Sequence, residues 1–227
     1  MHPRPDDVFP LLTPQAGIHY ARQLDPGGAA FHTADLMEIH GALDEDRLER
    51  AVRRTVAEAD TLRLRVTEAD GEPRQWVREA AYATDLPVHR LDLRAEDRPE
   101  EVADAWIRAD LARPADAGDA ADAGDDHGLM TQALIRIADD RTWWYQRVHH
   151  IAVDAYALQL VGRRVAELYT AYTADPEAPA PACRFAPLRE LVEDEAQYLA
   201  SDRLATDRAF WAERMANAPA PVTLSGR

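Results

Sequence analysis

The chain has 227 residues, of which 46% are hydrophobic and 30% charged, and its formal net charge is −15 at pH 7. This composition supports a packed core within one large domain or two small ones, and it excludes wholesale disorder. The acidic balance argues against binding to nucleic acid or to an anionic membrane surface. No apolar run approaches the ~20 residues that span a bilayer.

Cys183 is the single cysteine, so the chain cannot form an internal disulfide and has no cysteine pair spaced for a metal. The first residues carry no apolar run behind a basic start, which a secretory signal requires. We therefore expect a cytoplasmic protein that makes no contact with a membrane.

The first half of the chain predicts a mixture of strands and helices. Residues 1–10 contain three prolines and predict a flexible N-terminus. Thr13 and Pro14 are typical of a helix start. Periodicity then predicts a strand over 36–41, a helix from Asp44 to Ala59, paired strands over 62–67 and 74–77, a strand over 87–93 and a helix over 100–111. The paired strands are expected to turn at Asp70-Gly71.

The second half begins with an acidic stretch over 116–126, which is typical of a solvated loop. The elements expected after it are strands over 129–137 and 142–149, helices over 155–172, 188–200 and 205–215, and a proline-rich linker over 174–187. The strict alternation of a parallel sheet is missing. We therefore predict an α/β (α+β) sandwich with a mixed, largely antiparallel sheet flanked by helices.

One group of residues has the pattern of a reactive site. The strand over 143–148 runs into His149 and His150, and Asp154 follows four residues after His150. Strand alternation places His150 on one face with Trp144, and His149 on the other. A histidine at a strand end can face a cleft, and an imidazole with an ordinary pKa near ~6.5 accepts a proton at neutral pH.

A second explanation fits the same spacing. Two histidines before a helix can be a polar strand end, with Asp154 as the helix N-cap. A metal site is disfavoured because no cysteine or third histidine lies at ligand spacing. No glycine-rich phosphate loop is present, which argues against nucleotide binding.

The sequence from His149 to Ala155 resembles the His-His-x-x-x-Asp-Gly signature of the condensation domains of nonribosomal peptide synthetases and of related acyltransferases. Other segments resemble that family in the same order along the chain. They are Leu12–Ile18, Gly41–Asp44 together with the helix that runs to Ala59, Leu62-Arg63, Tyr145–Arg147, and residues 165–169. Tyr145–Arg147 and residues 165–169 are most similar to the condensation domains that begin siderophore-type synthetases.

The resemblance implies a chloramphenicol-acetyltransferase-like fold with two lobes. Residues 11–217 correspond to the N-terminal lobe, and 218–227 to the start of the crossover toward a C-terminal lobe that this sequence lacks. The activity implied is amide formation between an acyl or peptidyl thioester donor and an aminoacyl acceptor, both carried by carrier proteins. The phosphopantetheine arm belongs to those carriers, so this chain is expected to bind no cofactor and no metal.

The resemblance also assigns roles to residues. His150 positions the acceptor amine or takes its proton, Asp154 pairs with Arg63 to hold the turn, and His149 is a buried support. Three further residues are candidates for the channel lining, although a core position is favoured for the first two: Gln15, Trp144 and Ala155. Expected partners are the donor and acceptor carriers, the C-terminal lobe and downstream synthetase domains, and a lone lobe is expected to self-associate.

Some positions depart from the family pattern. Ala155 stands where the signature has glycine, and Glu58, Ala59 and Asp60 replace an Arg, a His and a Glu. Two alternative functions remain open on the sequence. One is a non-catalytic module that recruits partner enzymes, and the other is a stand-alone trimeric acyltransferase, which the 73 or so residues after the motif ending at Asp154 disfavour.

Overall fold

The computed structural model describes residues 7–24, 31–113, 129–177 and 179–219. The chain forms two units, residues 1–188 and 189–227. The predicted acidic loop over 116–126 lies outside the described residues, as do residues 1–6 of the N-terminus and 220–227 of the expected crossover.

The described elements follow the predicted order with one exception. Phe9 and Pro10, which were expected in the flexible N-terminus, form a short strand that pairs with Gln75 and Arg74. The strands are β1 (Phe9–Pro10), β2 (His32–His40), β3 (Leu64–Ala69), β4 (Glu72–Val77), β5 (Val88–Asp92), β6 (Met130–Ala138) and β7 (Arg141–His149). The helices are α1 (Thr13–Leu24), α2 (Glu45–Glu58), α3 (Pro99–Leu111), α4 (Ala155–Ala174), α5 (Leu188–Leu199) and α6 (Asp202–Met215), and two 3₁₀ helices cover Asp60–Arg63 and Ala80–Asp85. None of the helices described is both long and apolar enough to cross a membrane.

The strands of the described residues form two sheets in the first unit. The larger has the order β2-β7-β6-β5, with antiparallel pairs except for β5 and β6, which run parallel. The smaller has the order β1-β4-β3 and is antiparallel throughout. A mixed, largely antiparallel sheet was predicted, and it is confirmed.

Helices cover both faces of the larger sheet. Trp143 and Tyr145 of β7 pack in a buried cluster with Ala103 of α3, so α3 covers the face of the odd-numbered β7 residues. On the other face, a Cβ atom added to Gly162 of α4 would lie 3.4 Å from the Met37 side chain of β2. Helix α2 packs beside α4 through the buried stripes of both helices. The predicted sandwich of helices around a sheet is therefore present.

Several boundaries differ from the prediction. The strand expected from residue 62 begins at Leu64, because Leu62 and Arg63 close a 3₁₀ helix whose buried side chains face the core. Strand β2 starts at His32 rather than at 36, since it pairs with β7 over nine positions. The predicted turn at Asp70-Gly71 is confirmed, because both residues have positive φ (56° and 76°), as a tight hairpin turn requires.

Candidate active site

The segment that carries the two histidines is a short turn between β7 and α4. β7 ends at His149 and α4 begins at Ala155. The backbone N–H of His149 donates to the carbonyl of Leu129, and that of His150 to the carbonyl of Phe31, at 2.8 and 2.7 Å. The backbone of both histidines is therefore fixed by the neighbouring chain segments on either side.

His150 is exposed, and its ring has one nitrogen engaged. Nδ1 lies 2.7 Å from the carbonyl oxygen of Val153. A carbonyl oxygen can only accept, so Nδ1 must carry the proton in a neutral ring. The other nitrogen, Nε2, then has a lone pair that no side chain or backbone group of the described residues occupies. This geometry suits a group that accepts a proton or a hydrogen bond from a substrate amine.

His149 has the opposite environment. It is 1% exposed, and its Nδ1 accepts from the backbone N–H of Ile151 at 3.0 Å, so that Nε2 carries the proton. Nε2 is buried and has no hydrogen-bond partner among the described residues. Burial, followed by nearby cationic groups such as Arg22, lowers the pKa of His149 to about 3. His149 is therefore neutral at pH 7 and packs beside Phe31, with ring centroids 6.4 Å apart.

Behind His149, a buried ionic network joins β7 to α3. Nε of Arg147 lies 2.8 Å from a carboxylate oxygen of Asp110, and the two side chains are 5% and 3% exposed. The hydroxyls of Tyr145 and Thr131 donate to the same carboxylate at 2.8 and 3.1 Å. A guanidinium nitrogen of Arg147 donates to Nε2 of His32 at 2.8 Å. Sequence spacing gave no sign of this network, because its members lie on four separate elements.

Asp154 is the N-cap of α4. Its side chain is exposed and accepts from the backbone N–H of Ala157 at 2.7 Å. The expected ion pair between Asp154 and Arg63 does not form, and that prediction is wrong. The alternative raised on spacing alone, a helix cap, is the arrangement found.

Arg63 is instead part of the support around the end of α2. It forms an ion pair with Asp60 at 2.7 Å and donates to the carbonyl oxygens of Val56, at 3.1 Å, and Arg78. Burial lowers the pKa of the Arg63 guanidinium, and the charge of Asp60 acts in the opposite direction. Arg63 is engaged locally because it closes the 3₁₀ helix directly after α2.

Ala155 is the first residue of α4 and is exposed. Its φ is negative, since Asp70 is the one non-glycine with positive φ among the described residues. The position therefore makes no backbone demand for the glycine of the signature.

Gln15 and Trp144 lie in the core. Gln15 is 6% exposed and donates to the carbonyl of Ile151 at 3.1 Å. Trp144 is 3% exposed, and its indole N–H donates to the side-chain oxygen of Gln132 at 2.9 Å. Of the two possibilities left open by the sequence, the core position is the one observed for both.

The positions that depart from the family pattern near residue 60 have partners of their own. Glu58 forms a buried ion pair with Arg164 of α4 at 2.8 Å, and Asp60 accepts from the backbone N–H of Leu188 at 3.0 Å. Burial acts to raise the pKa of Glu58, but the hydrogen bonds and charges of Arg164 and Arg54 outweigh that effect. The pKa of Glu58 is therefore lower than its ordinary value. No cluster of three or more metal-ligating side chains occurs within the described residues.

Comparison with known proteins identifies the class. A family model described as Condensation domain matches residues 6–226. The chain is 36% identical over 222 residues to a dimodular nonribosomal peptide synthase of Bacillus subtilis (98% of this chain, 9% of that protein). It is 38% identical over 219 residues to enterobactin synthase component F of Escherichia coli K12 (96% and 16%). The chain thus belongs to the condensation-domain family, found in nonribosomal peptide synthetases.

A solved structure supports the same assignment. A mutant starter condensation domain of the rhizomide synthetase RzmA, crystallised with C8-CoA and Leu-SNAC, matches with a TM-score of 0.86 at 32% identity. The match covers 98% of this chain and 48% of that one. The chain therefore spans about half of a solved condensation domain and 9% to 16% of the synthetases above.

Proposed function

We propose that this chain is the N-terminal lobe of a condensation domain that joins a carrier-bound acyl or peptidyl thioester to a carrier-bound aminoacyl group. The observation that carries the proposal is the geometry of His150, an exposed imidazole at a strand end with Nδ1 bound to a carbonyl and Nε2 free. Family membership and the half-length match to a domain crystallised with C8-CoA and Leu-SNAC support it.

In the proposed reaction, the acceptor amine attacks the carbonyl carbon of the donor thioester. The C–N bond forms, the C–S bond breaks, and the donor carrier leaves as a thiol after taking up a proton. Nε2 of His150 accepts a hydrogen bond from the amine, or its proton, as the nitrogen becomes cationic. His149 takes no part in proton transfer, because its lowered pKa keeps it neutral and its ring is buried.

The partners proposed for the chain are the two carrier proteins, which bring the substrates on their phosphopantetheine arms, and a C-terminal lobe that completes the channel. No metal or cofactor bound by the chain itself enters this reaction. A starter position in a siderophore-type pathway remains a prediction from the resemblance of Tyr145–Arg147.

Recruitment of a partner enzyme without catalysis is the main alternative. Its sequence basis was the loss of the signature glycine. Ala155 is compatible with the first turn of α4, so this loss is weak support for an inactive site.

The test is product formation by mass spectrometry. Loaded donor and acceptor carriers are mixed with this chain and with a form that continues through a C-terminal lobe. We expect amide from the extended form and little or none from the chain alone, since the chain spans about half of a solved condensation domain. If the extended form makes no amide but still binds carriers or a tailoring enzyme, the recruitment function replaces the proposal.

A further inference from the structure

The side chain of Gln15 contacts the histidine turn from a distant part of the sequence. Gln15 is the third residue of α1, and its Nε2 donates to the carbonyl of Ile151, 136 positions along the chain. Ile151 directly follows His150, and its own N–H is bound to the ring of His149. Gln15 therefore binds the carbonyl of Ile151, a residue that follows His150 in the chain and whose N–H binds the ring of His149.

A second buried amide orients Gln15. Gln75 of β4 is fully buried, and its Nε2 donates to Oε1 of Gln15 at 2.8 Å and to the carbonyl of Pro10 at 2.9 Å. The backbone N–H of Leu12 donates to the same Oε1 at 2.9 Å, as in a capping box. Two donors thus fix the oxygen end of Gln15, so its NH₂ end must face Ile151.

This amide pair links the smaller sheet to the candidate catalytic histidine. Gln75 lies on β4, whereas His150 follows β7 in the larger sheet. The carbonyl of Val153 that binds Nδ1 of His150 lies two residues after the carbonyl held by Gln15. A shift of the turn would remove this acceptor and leave both ring tautomers accessible to His150.

We propose that Gln15, oriented by Gln75, is a positioning residue that keeps the turn of residues 150–153 in the form that leaves Nε2 of His150 free. The inference rests on the proposed function for its catalytic meaning. The effect of Gln15 on the ring tautomer of His150 can be measured on this chain without any substrate.

The first experiment measures the ring nitrogens of His150 by ¹⁵N NMR at neutral pH. In the wild type we expect the signature of one tautomer, protonated at Nδ1. Gln15→Met keeps a side chain of similar length but cannot bond to Ile151, and we expect mixed tautomers and shifted amide signals over 150–153. Gln75→Met should change the same signals in the same direction. The matched control is Gln23→Met, an exposed glutamine on the same helix, which should change neither.

Unchanged ring and amide signals in a folded Gln15→Met protein would overturn the proposal. If that variant does not fold, Gln75→Met decides in the same way, because it removes the orienting donor and leaves the Gln15 side chain in place.

A second readout separates positioning from general damage to the structure. In the form extended by a C-terminal lobe, Gln15→Met should lower kcat about 10- to 100-fold, as expected for a displaced catalytic group. The KM should stay within about twofold, since carrier binding is unchanged. An unchanged kcat contradicts the proposal. Inactivity of the extended wild type would instead contradict the proposed function, and the NMR result would still decide the role of Gln15.

Discussion

Two adjacent histidines of this chain have opposite environments. His150 is exposed, with one ring nitrogen fixed and the other free, whereas His149 is 1% exposed. His149 is the last residue of β7 and is buried, whereas His150 lies in the turn after the strand, where its side chain is exposed. In the sequence, alternation predicted only that the two side chains lie on opposite faces, and the family resemblance implied a reactive role for His150 and a support role for His149.

The lowered pKa of His149 makes the stability of the fold depend on pH. In the unfolded chain the imidazole has its ordinary pKa near ~6.5, and in the folded chain it is about 3. Below pH ~6.5 the imidazole of His149 takes up a proton in the unfolded state but stays neutral in the folded state. The free energy of unfolding therefore falls as the pH falls. Between pH 7 and 5.5 the loss should be about 1 kcal/mol from this residue. His32, whose pKa burial also lowers, acts in the same direction.

Urea unfolding at the two pH values measures this effect. His149→Gln should reduce the loss of unfolding free energy by about 1 kcal/mol relative to the wild type. His40→Gln is the control, because the His40 side chain is 73% exposed. The same loss in His149→Gln as in the wild type would show that His149 is not buried as a neutral ring.

At the scale of the elements, Asp154 acts through α4. Asp154→Ala removes the acceptor for the Ala157 N–H and should lower the free energy of unfolding by about 1 kcal/mol. Asp154→Asn keeps a capping oxygen and should leave the melting curve almost unchanged. A large loss in the asparagine variant would mean that the charge of Asp154 has a partner, as the sequence resemblance first suggested.

The contact between α3 and β7 depends on one buried carboxylate. Asp110→Ala leaves the Arg147 charge buried without its counter-ion, which costs about 3–5 kcal/mol. Asp104→Ala, on the exposed side of the same helix, should change stability by less than ~0.5 kcal/mol. Chemical denaturation compares the two, and equal effects would contradict a structural role for the buried pair.

The elements that the sequence predicted well are those set by local rules. Asp70-Gly71 specified its hairpin turn, and the spacing of Leu48, Val52 and Val56 specified the buried face of α2. Contacts between distant segments were not predictable, because pattern and spacing do not encode which side chains meet. The Arg147–Asp110 network and the partner of Arg63 are such contacts. Gln15 stood out in the sequence as part of a motif, but its bond to Ile151 emerged from the fold.

At the scale of the whole molecule, the chain matches about half of a solved condensation domain. The proposal that this chain forms one lobe of a two-lobed domain predicts that it exposes apolar surface when it is studied alone. In the first unit, Tyr156 is 73% exposed and Leu36 is 42% exposed. We expect concentration-dependent self-association in sedimentation experiments, stronger at high salt because salt screens the repulsion between chains of net charge −15. A monomer at every concentration and salt would contradict this expectation.

The central claim is that His150 acts directly in amide formation, and single-turnover kinetics of the extended form test it most directly. Loaded donor and acceptor carriers are mixed with the extended wild type, with extended His150→Ala, and with extended His40→Ala as the exposed-histidine control. We predict that His150→Ala slows amide formation on the order of 10²- to 10⁴-fold, while the control has the wild-type rate. A wild-type rate in the His150→Ala variant would contradict the role assigned to this residue.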